Sequence, residues 1–358
     1  MEIDDYLRIS PYTSLVEFGI KITKHLSENL AIVNYSQIDS PRSSKIAQQC
    51  RGTVIDTITN RVVARGFPRF FNWGEMLETD SAKNFNFGNF ISQSKEDGSL
   101  VIVFSHNGKW FLNTRMSFGN RPIMFEGGIT WREAFCQALN ITSDDQLDKI
   151  FHPEYSYIFE FCSPYNKIVR QYSKPAMFLL SMFEGERELP WVDTKNTTGP
   201  WSLPKTFDFK STDEITKFLN EQSKTDPTFE GVVIRDNLNN RWKIKSPTYL
   251  SLHQMHCNGN ILLPKYLLPF IVNGETEELL VYFPECKEAV KKFSEVFNEA
   301  KNSLLNLWGK FKNTPNQKDF ALAIKNHPLN SILFEARKNK TDPVFNTDLV
   351  LNRLTFVL

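Results

Sequence analysis

The sequence predicts an α+β protein, with a sheet-rich N-terminal domain followed by a mostly helical C-terminal one. Three observations carry this expectation. Short alternating or apolar runs bounded by turn residues recur from about residue 35 to residue 246, which is the texture of strands. Helix-period segments precede and interrupt them without strict alternation, which argues against a doubly wound sheet. Beyond about Asn258 helix-period patterns take over.

The strand runs are Gly52–Asp56, Ser99–Ser105, Lys109–Asn113, Tyr155–Phe161, Phe178–Phe183, Gly231–Arg235 and Arg241–Lys245. Asn107-Gly108 between the second and third reads as a tight hairpin turn. Helices are expected over Leu15–Ser27, Trp131–Ala138 and Ser211–Gln222, the last opening on Ser211 with acids in its first turn. In the C-terminal part Val290, Phe293, Phe297, Leu304 and Leu307 recur at helical spacing within Thr276–Phe311, which Pro284 should divide in two. Pro315 can open a helix running to Lys325, and Pro328 precedes another ending near Lys340. These changes of texture place a boundary near residues 250–262, giving domains 1–255 and 256–358.

With 358 residues there is room for two modest domains, and 41% hydrophobic with 23% charged residues is ordinary for a globular protein. A net charge of +1 gives no overall attraction to polyanions, so any such surface must be a local patch. The cysteines Cys50, Cys136, Cys162, Cys257 and Cys286 are scattered and odd in number, which indicates neither a disulfide framework nor a zinc ribbon. The acidic start lacks the features of a signal peptide, and the longest apolar run is too short for a bilayer. A protein of a reducing interior, without membrane association, is expected.

Chemistry concentrates in four strings. Lys95-Glu96-Asp97-Gly98-Ser99 places a lysine just before a turn between two strand-like runs. A lysine attacks phosphorus only as the neutral amine, and at its usual pKa of about 10.4 roughly one in a thousand is neutral at pH 7. Nearby cations and burial enlarge that fraction. Gly98 would allow backbone to approach a phosphate or sugar closely. Alone, the string also describes an exposed lysine at a β-turn. Downstream lie Phe159-Glu160-Phe161, Glu230-Gly231-Val232-Val233 and Lys243-Ile244-Lys245. Lys243 and Lys245 share one strand face, an arrangement that is costly unless an anion meets it.

In this order the four strings resemble motifs I, III, IV and V of the covalent nucleotidyltransferases, which comprise DNA ligases, RNA ligases and capping enzymes. Lys95 to Leu100, Lys243 to Ser246, Cys50-Arg51-Gly52 and Arg69-Phe70-Phe71-Asn72 resemble the RNA ligase 1 family, typified by the tRNA-repairing ligase of T-even bacteriophages. The resemblance covers roughly residues 30–255. It implies an ATP-dependent RNA ligase in which Lys95 forms a lysyl–AMP. Arg51, Arg69 and Arg115 would contact phosphates, with arginine at the last two positions where the family usually carries lysine. Phe71 matches an aromatic of the nucleotide-binding segment. Glu160 would bind the ribose and Glu230 a divalent metal, Mg2+ or Mn2+. Lys243 and Lys245 would hold the α-phosphate and help keep Lys95 neutral.

The implied partners are RNA ends, cleaved tRNA among them. The expected protein is a monomer of the cytoplasm, that of a virus-infected cell included. The competing readings are a DNA ligase, a capping guanylyltransferase and a non-catalytic RNA-binding relative. DNA ligases and capping enzymes usually append an OB-type β-barrel, whereas residues after 258 read as helical. His253, His256 and Cys257 are too few for a metal site, and the lysines at 287, 291 and 292 alternate with acids as on a solvated helix face.

Overall fold

The computed structural model describes residues 1–75, 83–119, 128–165, 168–247, 249–250, 262–274, 276–282, 286–345 and 347–354. The chain divides into two compact units, Met1–His253 and Gln254–Leu358. His253, His256 and Cys257 lie outside the described residues.

In the first unit the strands are β1 (Ile20–Lys24), β2 (Leu30–Tyr35), β3 (Arg51–Asp56), β4 (Arg61–Ala64), β5 (Phe71–Asn72), β6 (Phe90–Ser94) and β7 (Ser99–His106). They continue with β8 (Lys109–Thr114), β9 (Tyr155–Cys162), β10 (Ala176–Glu184), β11 (Arg187–Glu188), β12 (Thr206–Phe207), β13 (Gly231–Asp236) and β14 (Arg241–Lys245). They form three sheets, ordered β1-β2-β3-β4, β11-β10-β9-β7-β8 and β12-β6-β13-β14-β5. Pairing is antiparallel except between β14 and β5. The architecture is α+β, as the sequence predicts.

Each of the seven expected strand runs falls on an observed strand. Asn107 and Gly108 both take left-handed φ (51° and 73°), which a two-residue turn joining β7 to β8 demands. Thr130 and Glu133 form a capping box that opens helix Trp131–Leu139. That helix packs on the second sheet through Ala134, Phe135 and Leu139, which join Val101, Phe159 and Leu179 in one buried cluster. Ser211 caps helix Thr212–Thr225, whose Ile215 and Leu219 pack on Val232, Ile234 and Trp242 of the third sheet.

The helix expected over Leu15–Ser27 is absent. A 3₁₀ turn, Tyr12–Phe18, ends at Gly19 in the left-handed conformation, and Ile20–Lys24 then pairs with β2. Gly19 stops the helix, and the branched side chains of Ile20, Ile22 and Thr23 favour the pleated edge it leads into. A short helix, Ile3–Ile9, precedes this turn and buries Ile3 and Leu7.

Helices make up the described secondary structure of the second unit: Pro264–Asn273, Thr276–Tyr282, Lys287–Phe311, Gln317–Ile324, Asn330–Asn339 and Thr347–Leu354. Its core gathers Leu267, Leu268, Val290, Phe293, Phe297, Leu304, Phe320, Ile324 and Leu333. Among the described residues, no helix is long and apolar enough to cross a membrane. Cys50, Cys136 and Cys162 form no disulfide among the described residues.

Candidate active site

Lys95 sits between β6 and β7, where the chain leaves the third sheet and enters the second. Its backbone N–H donates to the Gly231 carbonyl at 2.9 Å, fixing the turn to the start of β13. Its ammonium lies 2.7 Å from Glu230 Oε1, and Lys245 Nζ lies 3.3 Å from the same oxygen. The two like charges on β14 are therefore partly met by a carboxylate. Burial pushes the Glu230 carboxyl upward, but Lys95 and Lys245 outweigh it and hold the group below its ordinary value.

Asp97 of the same turn is buried and makes four hydrogen bonds. Its Oδ2 accepts from the backbone N–H groups of Val169 (2.9 Å) and Arg170 (2.8 Å), and its Oδ1 from the Tyr249 hydroxyl (2.9 Å). Its own N–H donates to Tyr172 Oη at 3.2 Å. Asp97 thus ties the turn that carries Lys95 to chain segments 72 to 152 residues away. Glu96 is held by Ser94 Oγ at 2.6 Å and Tyr172 Oη at 3.2 Å.

Gly98 has a tighter reason to be glycine than the one expected. A Cβ there would run into the carbonyl of Phe161 and Cys162 Sγ, so the backbone at Gly98 packs directly on β9.

A cavity beside Lys95 is lined by Arg51, Phe67, Phe70, Glu160, Val233 and Arg241, among others. Arg51 is stacked on Phe67 (4.8 Å) and Phe70 (5.2 Å), and its Nε and Nη1 are buried with no hydrogen-bond partner. Burial draws its guanidinium down to about 10. Buried donors without partners are costly, and an anion in this cavity would satisfy them. Glu160 projects from β9 into the same cavity. Desolvation raises its carboxyl to about 7, with Glu230 adding to the rise and Lys95, Arg51 and Arg115 opposing it.

Glu160 should make the stability of the fold depend on pH. A folded-state value above the ordinary carboxylate range gives stability that is present at low pH and lost as pH rises through about 7. Denaturant midpoints measured at pH 5.5 and pH 8 should therefore differ in the native protein, with the difference reduced in Glu160→Gln. An unchanged difference would contradict this placement of the carboxyl.

The remaining expected residues gather around one phenol that sequence reading missed. Tyr35, the last residue of β2, is buried. Burial pushes its hydroxyl upward, yet Arg51, Arg115, Arg69 and Lys243 together draw it below its ordinary value. Arg69 lies over the Tyr35 ring at 4.4 Å and donates from Nη2 to Gln37 Oε1 at 2.7 Å, while Arg115 Nη1 is 3.5 Å from the Tyr35 hydroxyl. Four cations around one phenol make a strong local field for an anion in a chain of almost zero net charge. Phe71 does not line the Lys95 cavity. Phe70 does, while Phe71 packs with Val232, Trp242 and Ile244 and faces a neighbouring cavity. Phe70 also borders that neighbouring cavity, so it stands between the two.

Among the described residues, no group of three or more His, Cys, Asp or Glu could hold a metal ion. Glu96, Glu160 and Glu230 are carboxylates near Lys95. That suits an ion held by one or two carboxylates together with phosphate oxygens and water, and not an all-protein cage.

Lys95 thus stands at the junction of the second and third of the three sheets, facing a carboxylate and a second lysine. The solved structure of an archaeal ATP-dependent RNA ligase superposes with a TM-score of 0.50 over 84% of this chain and 82% of that one, at 15% identity, a likeness of fold. The chain belongs to the RNA ligase family, whose model matches residues 49–249. Curated relatives include a protein of Autographa californica nuclear polyhedrosis virus named as a bifunctional polynucleotide kinase/RNA ligase, 26% identical over 346 residues. That match takes in 91% of this chain but 48% of the relative, so the chain spans about half its length. An RNA ligase of Rhodothermus phage RM378 is 22% identical over 312 residues, 71% of this chain and 70% of that protein.

Proposed function

We propose that this chain is an ATP-dependent RNA ligase that seals 5′-phosphate and 3′-hydroxyl RNA ends. Lys95 Nζ attacks the α-phosphorus of ATP, forming a phosphoramide and releasing pyrophosphate. The AMP then passes to the RNA 5′-phosphate as a 5′–5′ pyrophosphate. The 3′-hydroxyl attacks that activated phosphate, forming the phosphodiester and releasing AMP. The observation that carries this reading is Lys95 paired with Glu230 beside a cavity in which Arg51 keeps two buried, unpartnered donors.

Lys243 and Lys245 steady the α-phosphate, and Arg51, Arg69 and Arg115 the outer phosphates. Glu160 accepts from the ribose, with Gly98 holding the nucleophile's turn against β9. Once a triphosphate occupies the cavity, its charge competes with Glu230 for Lys95 and Lys245, which loosens the ion pair that restrains the nucleophile. Mg2+ or Mn2+ held by Glu230, partly through water, would offset charge on the phosphates.

We assign adenylyl transfer to residues 1–255 and RNA choice to residues 256–358, and take broken tRNA in a cytoplasmic repair setting as the substrate and a monomer as the working form. Helices after residue 262, without a strand among the described residues there, support RNA ligase over a capping enzyme or DNA ligase with an OB barrel. The test supplies 5′-phosphorylated single-stranded RNA, nicked duplex RNA and nicked DNA with ATP and Mg2+. Sealing of RNA but not DNA is expected, and sealing of DNA alone would overturn the proposal.

A further inference from the structure

We propose that Glu188 is a positioning residue for Arg51, acting through Arg241 and the ring of Phe67; this rests on the reading of Arg51 as a phosphate contact. Glu188 lies on β11, at the edge of the second sheet, and is buried against the third. Its carboxylate meets two guanidiniums. Arg241 of β14 donates from Nη1 to Oε2 at 3.0 Å and from Nη2 to Oε1, while Arg235 Nη2 of β13 lies 3.4 Å from Oε1. Ser181 Oγ donates to the same carboxylate. Arg235 is committed elsewhere as well, to the Leu189 carbonyl at 2.7 Å and to Asn239.

Arg241 is the member that reaches the candidate active site. It lines the Lys95 cavity and lies over the Phe67 ring at 4.8 Å. Arg51 lies over the same ring, also at 4.8 Å, so the two guanidiniums share one aromatic support. A guanidinium on a ring face is held by the ring's quadrupole, the more so when desolvated. Arg51 has two unpartnered donors in the cavity, so packing of this kind fixes the direction in which they point. Glu188 also balances charge. Without it, Arg241 and Arg235 would face each other buried, with Asp236 acting on Arg235, and Arg241, left with the Asn239 carbonyl at 2.9 Å, would be free to shift from Phe67.

The inference is tested by equilibrium binding of the α,β-methylene analogue of ATP, which Lys95 cannot split, to the native protein, Glu188→Gln, Arg51→Ala and the double variant. Glu188→Gln should weaken binding by about tenfold in the native background and by less than about twofold when Arg51 is already alanine. Phe67→Leu, which keeps the apolar volume and removes the ring face, should repeat that pattern and decides the matter if Glu188→Gln fails to fold. Equal weakening in both backgrounds would reduce Glu188 to general scaffolding, and no weakening would remove it from the site; either overturns the inference. If Arg51→Ala itself binds the analogue like the native protein, the reading of Arg51 fails instead.

Discussion

Glu230→Gln should slow adenylylation of Lys95 by at least about a hundredfold, the scale on which removal of one preorganised electrostatic contact acts. The substitution keeps the side-chain volume but removes the charge that lies 2.7 Å from Lys95 and 3.3 Å from Lys245. Two lysines would then face each other at the mouth of the cavity, and the carboxylate proposed to hold metal would be gone. Lys95 would take up other rotamers, and the α-phosphate would lose its alignment with Nζ. Incorporation of label from α-labelled ATP, followed over time at saturating nucleotide, measures the effect. A loss smaller than about threefold would remove Glu230 from the mechanism.

Asp97→Ala is expected to be the most destabilising single change in the nucleophile's turn. It would orphan two backbone N–H groups and the Tyr249 hydroxyl in a buried place. At roughly 1–3 kcal/mol for each unsatisfied buried group, the loss should reach at least about 3 kcal/mol in urea unfolding. Asp97→Asn retains shape and one acceptor, so it should cost less while still weakening one of the tethers. Adenylylation should fall with Asp97→Ala even at temperatures where the chain is folded, because the turn that presents Lys95 would no longer be tied to Val169 and Tyr249. A stability change within about 1 kcal/mol would mean that these hydrogen bonds do not form in solution.

The three predictions on Glu230, Asp97 and Glu160 show which parts of the site were legible in the sequence. Lys95, Glu230, Lys243 and Lys245 stand in short strings that are weak one by one and drew notice through their order along the chain. Gly98 was recognised as a close-approach glycine, but its neighbour is the Phe161 carbonyl 63 positions away, which no local pattern encodes. Tyr35 looks like any strand-terminal tyrosine until folding surrounds it with four cations drawn from β3, the β4–β5 segment, the end of β8 and β14. The Glu188–Arg241 contact joins residues 53 apart across two sheets.

Strands and most helices were legible because their periodicities are local. Capping residues such as Ser211 and Thr130 mark starts that the structure retains. The misread segment at Leu15–Ser27 had apolar spacing compatible with either state. There the deciding facts were Gly19, whose left-handed φ ends the 3₁₀ turn, and a pairing partner in β2 that becomes available only on folding. In the Arg69–Asn72 segment two adjacent phenylalanines look alike in sequence, and only the fold shows that Phe70, not Phe71, lines the Lys95 cavity.

The central claim is that Lys95 carries AMP. Incubating the protein with α-labelled ATP and Mg2+, denaturing it, and mapping the label by acid-sensitive peptide analysis tests this most directly. The account predicts label on Lys95 alone, released by pyrophosphate and absent from Lys95→Ala and from reactions with γ-labelled ATP. Label that persists in Lys95→Ala, or no label from ATP in the native protein, would contradict it.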